Sequence, residues 1–285
     1  MNANLPSWLD KSAYPFAAHW FDTPAGRMHY VDEGTGRPIV FVHGNPAWSF
    51  MFRNQIKSLL STRRCIAPDH LGFGLSDKPH NWSYLPSEHA DNLEALLERL
   101  DLHDITLVLG DWGGPIGISY ALQHPERIRD LVISNTWMWS VSRQIKFRLF
   151  SAYMGGPIGR YLIRKRNSFV ISGFPGAFGD PKRLSPAAHE QYVRPFDEPL
   201  DRKGSWVFPK QIIASSEWLA SLWDRRAVLQ SKEFRFIWGM KDPGFGEKEL
   251  RRWCDQYPGG RVTRYPDGGH FLAEELPSEF TNGLQ

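Results

Sequence analysis

Residues 105–114, ITLVLGDWGG, constrain the fold more than any other stretch of the chain. Ile105–Leu109 is a near-continuous apolar run the length of one strand, and it stops at Gly110-Asp111-Trp112-Gly113-Gly114. Small residues there allow a sharp change of direction, and the following segment, 115–124, reads as a buried helix. A strand that is apolar on both sides and runs at once into a helix belongs in a parallel sheet covered on both faces. The same rhythm recurs. Met28–Val31, Pro38–Val42, Arg64–Pro68, Ile128–Ile133, Phe234–Trp238 and Arg261–Tyr265 read as further strands. Residues 87–100 and Glu247–Gln256 read as helices, and a final helix starts at about Phe271. The pattern predicts an α/β fold, a mostly parallel central sheet flanked by helices, with its chemistry at the carboxyl ends of the strands.

From about Trp137 to about Ile213 the rhythm breaks into short helical pieces separated by Gly, Pro and aromatic residues (YMGGPIG, SGFPGAFGDP, GSWVFP). The stretch is too long for a loop and too irregular for another strand–helix unit. It is expected to be a helical cap, 137–213, inserted in a main domain made of 1–136 and 214–285. Twelve Trp and eighteen Phe are enough to build the core and also line an apolar pocket.

The formal net charge of +3 and the scattered basic residues, with no zinc-ligand array or basic–aromatic repeat, argue against a nucleic-acid partner. The run Arg160–Arg166 reads as a solvated basic face. Cys65 and Cys254 have no companion motif and read as free thiols in a reducing compartment. The opening MNANLPSWLDKSAYPF lacks a basic region followed by an apolar run, and no 18-residue apolar stretch occurs. A cytoplasmic location and no membrane partner are therefore expected.

Three ionisable residues each follow a predicted strand: Asp111, Asp242 and His270. Any one Asp after a strand reads as a turn or helix cap. Together, in the order nucleophile, acid, histidine, they match the order of an α/β-hydrolase triad. Asp111 sits where G-x-S-x-G would place serine, and Leu109 stands in place of the first Gly. Ser119, in the nearest serine variant, falls inside the following helix and reads as structural. A carboxylate on such a turn can attack carbon and form an ester. His270, in PDGGHF, can act as a base toward water once an acid fixes its tautomer, and Asp242 is the better candidate than the turn residue Asp267. Asn45, in HGNP, and Trp112 offer amide and indole N–H donors suited to a departing halide, and their backbone N–H groups suit an oxyanion.

At these residues the chain resembles the haloalkane dehalogenases of the α/β-hydrolase superfamily. The likeness covers nearly the whole chain and is densest in HGNPAWSFMFR, PDHLGFGLSDKP, LVLGDWGGPIG, WGMKDPGF and GGHFLAEELP. PDHLGFGLSDKP is widespread among α/β-hydrolases; Asp-Trp after the strand, with Asn in HGNP, is far more specific. The resemblance implies hydrolysis of haloalkanes to primary alcohol and halide through an alkyl ester on Asp111. Asn45 and Trp112 would hold the halide, His270 would activate water, Asp242 would orient His270, and no metal or organic cofactor would be needed. Some members carry Glu after the strand that follows the nucleophile helix; here that place, 24 residues beyond Asp111, is Asn135. The Asp242, Asn45 and Trp112 combination is similar to the third dehalogenase subfamily, which implies a tendency to form homo-oligomers.

Epoxide hydrolases share the Asp nucleophile and the cap, and use cap tyrosines; Tyr153, Tyr161 and Tyr192 keep that alternative open. Fluoroacetate dehalogenases place Arg where Trp112 stands, and coelenterazine-type luciferases use the Glu absent here. A non-enzymatic relative would be expected to lack one of the triad residues. Expected pocket walls are Trp137, Trp139, Phe147, Phe150, Phe169, Phe174, Phe178 and Trp206 from the cap, with Phe245 and Phe271 from the main domain.

Overall fold

Seven of the eight strands carry the apolar runs read from the sequence. In the computed structural model, which describes residues 5–284, all eight join one sheet. The first four residues of the N-terminal segment read above lie outside the described residues. The strands are β1 (His19–Thr23), β2 (Gly26–Glu33), β3 (Arg37–Val42), β4 (Arg63–Pro68), β5 (Ile105–Gly110), β6 (Ile128–Ser134), β7 (Glu233–Gly239) and β8 (Arg261–Tyr265). Their order is β1-β2-β4-β3-β5-β6-β7-β8; the pairs β1–β2 and β2–β4 are antiparallel, and the rest are parallel. The central strands β3, β5 and β6 are buried along almost their whole length, which is why they read as unbroken apolar runs. β1, HWFDT, has no such run; as a half-exposed edge strand it needs none.

Helices α1 (Arg53–Leu59), α2 (Pro86–Arg99) and α3 (Gly113–Gln123) lie between the early strands. Pro86 stands at the first turn of α2, where its missing N–H costs nothing, and Glu88 accepts from the Leu85 N–H. Between β6 and β7 the chain forms the inserted helical cap, with α4 (Ile145–Met154), α5 (Pro157–Arg166), a π-helical turn (Phe169–Gly173), α6 (Phe174–Gly176), α7 (Pro186–Val193) and α8 (Lys203–Ala214), and α9 (Ser216–Asp224) then leads back towards β7. Arg164, Lys165 and Arg166 occupy the last turn of α5, where positive charge suits the helix dipole, and Asn167 ends the helix in a left-handed conformation. The chain closes with α10 (Glu247–Gln256), α11 (Leu272–Glu275) and α12 (Pro277–Leu284). Pro277 splits the single final helix expected from the sequence into α11 and α12. Cys65 and Cys254 are free thiols, and among the described residues no helix is long and apolar enough to cross a membrane.

Candidate active site

Asp111 leaves β5 with φ of 45°, a left-handed conformation that costs a non-glycine residue about 1–2 kcal/mol. That turn is held from several sides. The Gly114 N–H donates to the Asp111 carbonyl at 3.0 Å, and the Thr136 hydroxyl donates to the same oxygen. Gly113 lies so close to the Val42 carbonyl that a side chain there would collide with the backbone of β3. Gly44 faces the Asp111 carboxylate in the same way. These contacts explain the small residues of HGN and DWGG: they let the Asp111 turn and the β3 loop approach each other.

The Asp111 carboxylate is divided between two neighbours. Oδ2 accepts from the Asn45 backbone N–H at 2.7 Å, while Oδ1 lies 3.6 Å from His270 Nε2. The other ring nitrogen, Nδ1, is 2.7 Å from Asp242 Oδ2. Asp242 also accepts from the Gly244 N–H at 2.7 Å and from Asn135 Nδ2 at 2.9 Å. Burial is the strongest single influence on the His270 imidazolium and disfavours it, but Asp242 and Asp111 together outweigh burial and raise its pKa to about 10.

These groups form the floor of a cavity of about 450 Å³ between the main domain and the cap. Asn45 and Trp112 stand beside Asp111 on that floor. Among the described residues the indole N–H groups of Trp48, Trp238 and Trp253 donate hydrogen bonds and that of Trp112 does not, while Asn45 Nδ2 has only a long contact of 3.4 Å to the Ser205 carbonyl. Two neutral donors thus remain to meet a guest. The walls are apolar and come from Phe147, Phe150, Phe169, Phe174, Phe245 and Phe271.

Four expected wall residues do not reach the cavity. Trp137 lies behind the wall, stacked on Phe245 at 4.8 Å and edge-on to Trp112 at 4.7 Å. Trp139 packs on the far side against Trp223 and Trp253. Phe178 supports Phe174 and Phe271 from outside, and Trp206 lies under the Arg160 guanidinium. The aromatic surplus therefore serves mainly as packing. Met154, Pro209 and Ile212 line the cavity instead, without a sequence signal to single them out. Tyr153, Tyr161 and Tyr192 are absent from its lining: the first two are solvent-exposed, and the Tyr192 hydroxyl is buried against Glu274 at 2.5 Å. Ser119 lies within α3, and Asp267 is an exposed turn residue paired with Lys241.

Two supporting residues were not anticipated. The Asn135 amide ties β6 to the β7 loop. Nδ2 donates to Asp242 and to the Gly239 carbonyl, and Oδ1 accepts from the Gly239 N–H at 2.8 Å. Asn135→Ala would orphan these buried partners, so a stability loss of about 1–3 kcal/mol is expected, read as a shifted urea midpoint with unchanged slope. The buried Glu275 carboxylate accepts from the Gly179, Asp180 and Gly269 N–H groups, and His270 N–H donates to the Ala177 carbonyl at 2.8 Å. The histidine loop and cap segment 177–180 are thereby one hydrogen-bonded unit. An acid in the first turn of α11 was visible in GGHFLAEELP, but its partners were not.

A family model described as the alpha/beta hydrolase fold matches residues 37–277. Haloalkane dehalogenase 2 of Mycobacterium tuberculosis (strain ATCC 25618 / H37Rv) is 38% identical over 277 residues, covering 96% of each chain. A cis-3-alkyl-4-alkyloxetan-2-one decarboxylase of Shewanella oneidensis is 35% identical, covering 93% of this chain and 86% of its own. The crystal structure of the haloalkane dehalogenase DatA from Agrobacterium tumefaciens C58 superposes with a TM-score of 0.83 at 28% identity, over 96% of this chain and 97% of that one.

Proposed function

The chain belongs to the haloalkane dehalogenases of the α/β-hydrolase superfamily, and from that premise we propose how its own residues carry the reaction. It is a hydrolase acting on carbon–halide bonds of small apolar substrates, through a covalent alkyl-enzyme intermediate. The observation that carries the residue assignment is the division of Asp111: one oxygen is held by a backbone donor, and the other lies beside His270 on the floor of an apolar cavity.

In this reading Asp111 Oδ1 attacks the halogen-bearing carbon from the side opposite the leaving group. The carbon–halogen bond breaks, and the halide departs with the bonding pair toward Asn45 Nδ2 and Trp112 Nε1. The product is an ester of Asp111. His270 then removes a proton from water, whose oxygen attacks the ester carbonyl. Negative charge collects on Oδ2, where the Asn45 N–H already points, with the Trp112 N–H as second donor. Collapse expels the alkoxide, which takes the proton from His270 and leaves as the primary alcohol; the remaining water proton, on the new Asp111 carboxyl group, passes to solvent and the carboxylate is restored. Asp242 fixes the His270 tautomer and balances its charge. The same reading assigns 137–213 as the cap over a main domain of 1–136 and 214–285, and places the protein in the cytoplasm, with self-association into homo-oligomers open to test by sedimentation.

The two steps should titrate differently. His270 is held near 10 partly by the negative charge of Asp111, and esterification removes that charge. The imidazolium then loses one of its two partners, so its pKa falls in the intermediate and the neutral base is recovered at lower pH. Ester hydrolysis should rise with pH through an ionisation well below that of the free enzyme. Rapid-quench measurements of halide and alcohol from about pH 6 to 10 check this. A single shared ionisation for both steps would mean that Asp111 does not hold the proton on His270.

A second reading rests on the relative named as an oxetan-2-one decarboxylase: a strained lactone could meet the same nucleophile and oxyanion donor. The epoxide alternative loses support because none of the three tyrosines lines the cavity. Halide and alcohol formation from 1-bromobutane and 1,2-dibromoethane, beside styrene oxide and a cis-dialkyl oxetan-2-one, discriminates the three. Bromide turnover supports dehalogenation; turnover of the lactone or epoxide alone overturns it.

A further inference from the structure

The outer side of the cap carries a feature the reaction does not use. α4 and α5 form a hairpin joined by Gly155 and Gly156 and pack against α8: Ser151 donates to the Lys210 carbonyl at 3.2 Å, and Gly155 abuts Lys210. The residues facing away from α8 should be polar on a freely solvated surface. Instead Ile145, Leu149 and Tyr153 form a stripe along α4, and Ile158 and Tyr161 lie on α5. Ile145, Leu149 and Ile158 are 64%, 63% and 63% exposed. Phe150 and Ile171 extend the patch, and Phe150, Lys146 and Met154 also line the cavity, so the patch adjoins its mouth. Single exposed apolar residues are ordinary; a contiguous set on one side of a helical hairpin marks a binding surface.

Charge selects the occupant. Residues 131–179 contain no Asp or Glu but seven basic residues, Arg143, Lys146, Arg148, Arg160, Arg164, Lys165 and Arg166, although the rest of the chain, taken together, is net acidic. Among the described residues only Lys146 of these has a carboxylate partner, Glu249 at 3.3 Å. A second copy docked face to face would set two such basic surfaces against each other. Isoleucine, leucine and tyrosine flanked by unpaired Lys and Arg suit the interface of an anionic lipid bilayer, where apolar side chains enter the acyl boundary and cations meet phosphate.

We infer that the α4–α5 face of the cap docks reversibly on anionic membrane surfaces and presents the cavity mouth to apolar substrates dissolved in the bilayer. Such docking requires no spanning helix, so the lack of an 18-residue apolar stretch has no bearing on it. The delivery of substrate rests on the proposed dehalogenase reading; the docking itself does not.

The test is co-sedimentation of the full chain with vesicles of phosphatidylcholine containing about 30% phosphatidylglycerol, or of phosphatidylcholine alone. It compares wild type with Leu149→Glu/Ile158→Glu, positions outside the cavity lining. Wild type should bind the anionic vesicles, release them in high salt, and bind more than about tenfold better than the variant, since two apolar anchors are lost. Turnover of a water-soluble bromide should be equal in both, which establishes that the variant is folded, while turnover of a long-chain bromide held in vesicles should fall in the variant. No binding to anionic vesicles, or equal binding by both proteins, overturns the inference. So does concentration-dependent self-association that the variant abolishes in the absence of vesicle binding, because a second copy would then occupy the face. If docking is found but no bromide is turned over in any form, the surface stands and the dehalogenase reading fails.

Discussion

Asp111→Asn is expected to lower halide release from 1-bromobutane by about 10⁴-fold or more, the scale on which removal of a nucleophile acts. The neutral amide cannot displace halide from carbon, and among the described residues Asp242 is the one other carboxylate that lines the cavity. Asp242 is committed to His270, Asn135 and the Gly244 N–H. Asn is the informative replacement because it tolerates the left-handed φ of 45° as readily as Asp and can still accept from the Asn45 N–H. The variant should keep the wild-type far-ultraviolet circular dichroism and unfolding midpoint. Loss of halide release in a folded protein would then report chemistry; retained release would remove Asp111 from the nucleophile role.

His270→Gln should separate the two half-reactions. Alkylation needs only the Asp111 carboxylate and the halide donors, so the variant should release close to one halide per active site. Hydrolysis needs a base, and loss of one costs about 10²–10⁴ in rate. Alcohol formation should therefore stall, with the protein gaining the mass of one alkyl group on the peptide that contains Asp111. Equal loss of both products would place His270 in the first step as well. Gln can retain the contact to Asp242, so the loop set by the Ala177–His270 and Glu275–Gly269 hydrogen bonds should remain in place.

The parts of this molecule that the sequence made legible are those in which one residue type serves one local purpose. β3, β5, β6 and β7 announced themselves because strands buried along most of their length leave little room for polar side chains, and beside β5 and β7 Gly113 and Gly239 lie where a side chain would collide with neighbouring backbone. Asp111, Asp242 and His270 could be grouped in one reading because each follows a strand of the parallel part of the sheet, β5, β7 and β8. The cavity wall was only partly legible: a Trp or Phe in the cap has the same signature whether it faces a guest or another ring. Phe174 and Phe178 lie four residues apart, yet only Phe174 reaches the cavity. Asn135 and Glu275 were illegible for a different reason. Their roles depend on backbone N–H and C=O groups of segments distant in sequence, and those groups are the same in every residue. The exposed face of α4 and α5 shows the converse: its leucine and isoleucines look like core residues until the position of α8 shows which side is covered.

The most direct test of the central claim is a single turnover of 1-bromobutane in H₂¹⁸O with enzyme in excess. If Asp111 forms the ester and water attacks its carbonyl, the first butanol carries unlabelled oxygen taken from Asp111, and the label appears in the Asp111 peptide. Butanol labelled in that first turnover, with Asp111 unlabelled, would mean that water attacks the substrate carbon directly, and the covalent account of this site would be contradicted.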